Sequence, residues 1–343
     1  MDLAQALGVE LPIIQAPMAG VQGSALAIAV CQAGGLGSLP AAMLDSAALR
    51  REIAAVRAAT DRPFNVNFSC HRVVAPDPVR EAAWRRTLAP YYREHGLDVD
   101  AIPSAPARSP FDDAAAALVE ETRPAIVSFH LGLPDEPLLA RVRTAGAKIL
   151  ATATTVAEAQ WLEHHGVDAI VVQGLEAGGH RSQFLIDDLS LQSGLFALLP
   201  QVAKAVRVPV IATGGIADAD GIAGAHALGA AMVQIGTAYM LCPEATTRQV
   251  HRDALVSESA LHTALTRVFS GGPARGIVNR LMRELGRDAA VPAFPHATVA
   301  IAPLRAAAEG RGSGDFSPLW CGQNASGCKA IPAAQLTRSL AAI

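Results

Sequence analysis

The chain has 343 residues, 51% of them hydrophobic, and a formal net charge of −3. That is enough apolar material for two domains or for one large barrel with an appendage. No basic run exceeds Arg85-Arg86 and no apolar stretch approaches the roughly 18 residues of a membrane span, so neither nucleic acid nor membrane is an expected partner and a small molecule is.

The opening stretch MDLAQALGVE lacks the basic segment and apolar core of a secretory signal, so a cytoplasmic protein is expected. Cys31, Cys70, Cys242, Cys321 and Cys328 are scattered with no CxxC pair, which fits reduced thiols rather than disulfides or a zinc site.

In chain order, strands are predicted at 13–16, 36–39, 64–68, 125–129, 149–152, 169–172, 210–213 and 232–235. Helix-length stretches such as 24–33, 46–59, 156–164 and 218–228 lie between them. Strands apolar on both faces and separated by helices are parallel and helix-covered. Gly146, Gly166 and Gly229 each follow a helix and precede a strand, where the helix C′ residue needs positive φ. The repeat predicts an α/β protein, a (β/α)8 TIM barrel, more than a doubly wound sheet, since no GxGxxG follows the first strand.

Two segments break this rhythm. Residues 70–121 form a long insertion after the third strand and carry Trp84, Tyr91 and Tyr92. The expected division is a barrel over 1–238, a smaller, mostly helical lid or substrate domain inserted after the eighth strand over 239–312, and a C-terminal segment, 313–343, that returns to the barrel.

Barrel chemistry sits at the C-terminal ends of strands, so the residues there are the candidates for function. They include Ala16-Pro17-Met18 after the first strand, Asn67 on the third, His130 after the fourth, and Gln173 with the loop GLEAGGHR after the sixth. Gly214-Gly215 follows the seventh strand, and Gln234-Ile235-Gly236-Thr237 ends the eighth. Paired glycines after strands seven and eight let backbone N–H groups approach a phosphate, although a plain tight turn with Asp218 as helix N-cap reads the same residues. Asn67, Gln173 and Gln234 offer donors and acceptors to a heteroaromatic ring edge, or to local backbone. His180, beside Gly178-Gly179, reads as an acid/base or hydrogen-bond donor; no HxxH or HExxH supports a metal.

Lysine occurs only as Lys148, Lys204 and Lys329, and Lys148 begins its strand, at the end of the barrel away from chemistry. Schiff-base catalysis is therefore not expected, and without a GKS or GKT neither is P-loop chemistry.

Together these motifs resemble the FMN-dependent nitronate monooxygenases, formerly 2-nitropropane dioxygenases, whose barrel is shared with flavin-dependent enoyl reductases and some NADH:quinone reductases. The resemblance covers most of the chain and also includes Phe269-Ser270-Gly271, Pro273 to Gly276 and Trp320 to Gln323. It implies FMN over the barrel top, its phosphate held by Gly214, Gly215, Gly236 and Thr237. Ala16, Pro17, Met18, Asn67, Gln173, Gly178, Gly179, Gln234 and Ile235 would complete the cofactor site. It further implies His180 as catalytic base, His130 beside the substrate, and oxidation of alkyl nitronates by O2 to a carbonyl compound and nitrite. The alternative on the same barrel is an NAD(P)H-dependent reductase of quinones or enoyl thioesters. A monomer or homodimer is expected. Ser182 stands where the family pattern has glycine, and Cys321 where alanine is common.

Overall fold

The computed structural model describes residues 2–102, 108–286 and 289–342. Eight parallel strands follow one another around a single sheet: Ile13–Gln15, Ser38–Pro40, Asn65–Ser69, Ile126–His130, Lys148–Ala153, Ala169–Gln173, Val210–Thr213 and Met232–Ile235. They are called barrel strands one to eight. The first pairs with the eighth, Ile14 opposite Gln234, and one parallel bridge from Ile14 to Leu36 joins it to the second and closes the ring.

That seam explains why the second strand starts later than its apolar run. Side-chain amides replace much of the main-chain ladder there: Gln15 Oε1 accepts from Ser38 N at 3.1 Å, and Gln15 Nε2 donates to Gln22 Oε1 at 2.7 Å. Both glutamines are buried, so each polar group needs such a partner.

Along the strands alternate residues point in and out. Ile126, Leu150, Val171, Ile211 and Met232 fill the barrel's lower interior against Leu3, Ala4 and Leu7 of the helix Leu3–Leu7, which plugs the N-terminal end. Val127, Phe129, Ile149, Ile170, Val172 and Val233 face outward under the helices. Each such buried aliphatic side chain contributes about 1.5–3 kcal/mol, and both faces are needed for parallel strands.

The ring's last helix comes late. After the eighth strand the chain leaves the barrel and returns it only as the helix Ala333–Leu340, which packs against the helices Ser24–Gln32 and Ala219–Ala227. Ala333, Leu336 and Leu340 are buried there, and Thr337 Oγ1 lies 2.9 Å from the Tyr239 hydroxyl.

A second apolar cluster lies outside the barrel. Trp84, Leu88 and Tyr92 of the helix Pro78–Glu94 pack on Ile301, Leu304 and Ala308 of the helix Ala297–Glu309, with Phe269 and Phe316. The Tyr92 hydroxyl donates to Ala300 O at 2.6 Å. The two irregular segments of the sequence thus share one core. Residues 239–312, expected to be mostly helical, also supply the antiparallel strands Thr263–Thr266 and Ala274–Ile277; the latter pairs with Gly179–His180. Four residues are too few to show a two-residue period, and docking against the barrel loop sets their pairing. Among the described residues no helix is long and apolar enough to cross a membrane.

Candidate active site

The upper interior of the barrel turns polar. Asn67, Ser69, Ser128, His130, Thr152, Gln173, Thr213 and Gln234 all line one chamber of about 240 Å³ at the strands' C-terminal ends. Ala16, Pro17, Met18, Gly178, Gly179, His180, Gly214, Gly215, Ile235, Gly236 and Thr237 line the same chamber. Every candidate site residue is therefore gathered in one place. A wider cleft of about 1100 Å³ adjoins it, and Leu131, His180 and Phe294 border both.

The loop after the sixth strand is held by side-chain bonds to its own backbone. Gln173 Nε2 donates to His180 O at 3.1 Å while its Oε1 accepts from Ser182 N at 2.9 Å, so this amide serves its own loop. Gln234, by contrast, has no side-chain partner among the described residues and faces the chamber. Arg181 is fully buried and donates to Gln173 O, Gly174 O and Gln192 Oε1 at 2.7–2.8 Å. Burial first, and the Arg275 charge next, bring its pKa down to about 10. Three oxygens directed at the guanidinium offset its desolvation.

Ser182, the departure from the family pattern, has a definite position. Its buried Oγ accepts from Leu131 N at 2.8 Å, where Leu131 holds a left-handed φ of 67°. The hydroxyl thus fixes a strained residue on the border between the two cavities.

His180 projects from this loop between Phe294 and Trp320, with ring centroids 5.2 and 5.4 Å away. Its Nε2 lies 2.8 Å from Ser270 Oγ, and its Nδ1 has no hydrogen-bond partner among the described residues. Burial, then the charge of Arg108 and the neighbouring His130 and His71, push its pKa down to about 3. Burial likewise brings His130 down to about 4. Both imidazoles are neutral at physiological pH.

On the far side, Gly214 and Gly215 take φ of 121° and 73°, conformations glycine adopts readily. Asp218 does cap the following helix, accepting from Gly221 N at 2.8 Å, but the glycine pair itself faces the chamber. The C-terminal segment clamps both glycine loops: Asn324 Nδ2 donates to Gly215 O at 3.2 Å, and Gly322 N donates to Thr237 Oγ1 at 3.0 Å. Gly178 runs so close that a Cβ there would lie 2.5 Å from Gly322 N.

Arg108, Ser270, Phe294 and Asn324 were not singled out from sequence. Ser270 lies within a motif carried by the resemblance, and Trp320 opens the returning segment; Arg108 and Phe294 have no local pattern to mark them.

Fold and site define a (β/α)8 barrel with a ligand chamber at the C-terminal ends of its strands, where enzymes of this architecture work. The sequence profile of the nitronate monooxygenase family matches residues 2–342, and the chain belongs to that family. It is 44% identical to a nitronate monooxygenase of Paraburkholderia phytofirmans over 97% of this chain and 92% of the relative. It is 42% identical to one of Pseudomonas aeruginosa over 97% and 96%. Among solved structures, a nitroalkane oxidase from Streptomyces ansochromogenes superposes with a TM-score of 0.91 at 38% identity, covering 99% of this chain and 97% of that one. FabK from Thermotoga maritima gives 0.74 at 27% identity, covering 98% and 94%.

Proposed function

We propose that this protein binds FMN across the barrel mouth and oxidises alkyl nitronates with O2 to a carbonyl compound and nitrite. Family membership and the gathering of all candidate residues in one chamber carry the reading. Features of the chamber support that cofactor. Glycine loops at strands seven and eight offer backbone to a phosphate, Gln234 keeps an amide unpaired among the described residues for a ring edge, and Ala16-Pro17-Met18 supplies an apolar wall. When bound, FMN supplies the electron acceptor for the substrate carbon and the reductant for O2.

The protein's part is placement. Phe294 and Trp320 flank the partly exposed His180, while Ser270 holds Nε2. That leaves Nδ1 to meet the substrate. A nitronate arrives without the α-proton and needs only to be oriented; a neutral nitroalkane requires His180 to take that proton, and an imidazole of such depressed basicity is a poor base until an anion forms beside it. Preformed nitronates are therefore the better substrates. Arg267, Gly272 and Phe294 of the 239–312 segment line the wide cleft, which supports reading that segment as the lid, and the five free cysteines suit a reducing compartment such as the cytoplasm.

The test is the visible spectrum of the purified protein followed by oxygen uptake with propionate 3-nitronate. A protein that takes up no FMN ends the reading. A second reading, an NAD(P)H-dependent reductase, draws on the likeness to FabK and the wide cleft beside the chamber. Rapid anaerobic bleaching of the flavin by NADPH, without nitronate, favours it.

A further inference from the structure

Arg108 lines the chamber and is the only charged side chain among the described residues that do so; no aspartate or glutamate joins them. Its guanidinium has no hydrogen-bond or ion-pair partner among the described residues. Yet its backbone is firmly held. His71 Nε2 lies 3.0 Å from Arg108 O, which makes that nitrogen the N–H donor, and His71 Nδ1 lies 2.9 Å from Ser69 Oγ at the end of the third strand. Phe111 N donates to Ser69 O at 2.8 Å, so the segment is tied to that strand at Arg108 itself and again three residues further on. The His71 ring also packs edge-on to Phe294 at 5.0 Å.

The position decides which anion Arg108 serves. In an eight-strand ring the third strand lies diametrically opposite the seventh, which carries Gly214-Gly215. A phosphate held at the glycine loops is thus across the mouth from Arg108. The guanidinium stands instead on the side of His130 and His180, close enough for its charge to depress the His180 pKa. A half-buried guanidinium with no acid beside it among the described residues has lost hydration without compensation, and its five donors in a planar fork match a carboxylate.

We propose that Arg108 is a specificity-determining anion subsite, which selects nitronates that carry a second negative group, a carboxylate, on the same short chain. Resting on the nitronate reading above, this adds to it a preference among substrates. His180 and the ring-facing amides address the nitronate end, and Arg108 the far end. A one-charge alkyl nitronate reaches the same chamber without that contact.

The experiment compares kcat/KM for propionate 3-nitronate and for 1-propyl nitronate in FMN-loaded wild type, Arg108→Met and Arg108→Lys. The expected result is a loss of about tenfold or more on propionate 3-nitronate in Arg108→Met, carried by KM, and a change under about threefold on 1-propyl nitronate. Arg108→Lys restores part of the loss, since it keeps the charge without the fork. Equal losses on both substrates, or none on either, overturn the proposal. So does loss of FMN from Arg108→Met, which assigns the arginine to the cofactor. A direct measurement separates this proposal from the reaction itself: propionate, an unreactive carboxylate, is titrated into the FMN-loaded proteins and followed by the flavin difference spectrum. Saturable binding in wild type and none in Arg108→Met supports the subsite even if neither nitronate is turned over; equal binding in both overturns it.

Discussion

His180 Nε2 and Ser270 Oγ lie 2.8 Å apart, a side-chain bond that adds to the strand pairing between the loop after the sixth barrel strand and Ala274–Ile277. Ser270 Oγ also accepts from Gly272 N at 3.3 Å, so the hydroxyl is fixed before the imidazole meets it. Ser270→Ala should leave flavin content unchanged and lower kcat on nitronates several-fold, since the ring keeps its packing against Phe294 and Trp320 but loses its orientation. Steady-state oxygen uptake with flavin occupancy checks this, and unchanged kcat would remove Ser270 from the positioning role.

His180→Asn separates the two jobs proposed for the imidazole. Turnover of a neutral nitroalkane should fall on the order of 10²–10⁴-fold, the range of general-base contributions, while turnover of the preformed nitronate falls far less. Equal losses on both would sink the base assignment. With the His180 pKa near 3, nitronate kcat/KM should also show no His180 inflection between about pH 5 and 8. An inflection near 6.5 that disappears in His180→Asn would show that the ring titrates normally.

Stability should fall with acid in a defined window. His180, His130 and His251 have folded pKa values lowered to about 3, 4 and 4, chiefly by burial, against an ordinary 6.5. Between those values the unfolded chain binds more protons than the fold, so stability rises with pH and is lost as pH drops from about 6.5 through 4, at roughly 1.4 kcal/mol per pKa unit for each group. Thermal melts from pH 7.5 to 4 test this. His251→Gln, which can keep a donor near Trp320 O, should flatten the slope.

Two glycine substitutions should have opposite effects. Gly178→Ala sets a Cβ 2.5 Å from Gly322 N and 2.6 Å from Cys321 C, backbone atoms that move only if the C-terminal clamp moves. Flavin retention should drop sharply. Gly224→Ala, in the helix Ala219–Ala227 with open space at its Cβ, should stabilise by about 0.5–1 kcal/mol with no effect on flavin. Denaturant melts and flavin content decide both.

Arg181→Met tests the loop framework. Three oxygens lose their donor inside a closed interior, and a loss of about 3 kcal/mol or more is expected, together with weaker FMN retention. Wild-type stability in this variant would mean that water or relaxation satisfies those carbonyls.

The strands were legible because parallel barrel strands are apolar on both faces, as in Ile126-Val127 and Ile170-Val171, and the breaks to polar residues at Asn67, Gln173 and Gln234 mark their upper ends. The residues that line the candidate chamber were legible by the rule that barrel chemistry gathers at those ends. What stayed hidden depends on contacts far apart in sequence. Trp84 meets Ala297 and Ser270 meets His180 only when segments distant in sequence pack together. Arg108 has no periodic neighbours to signal its burial, and Gln15 is an ordinary strand glutamine until it is found bridging the barrel's seam.

The late helix Ala333–Leu340 has a consequence for the order of folding. It covers the helix Ser24–Gln32, so two elements far apart in sequence must meet before the apolar side of either is sheltered. Pocket walls run from Ala16 to Asn324, so the chamber is completed by long-range contacts and not by any local stretch of chain.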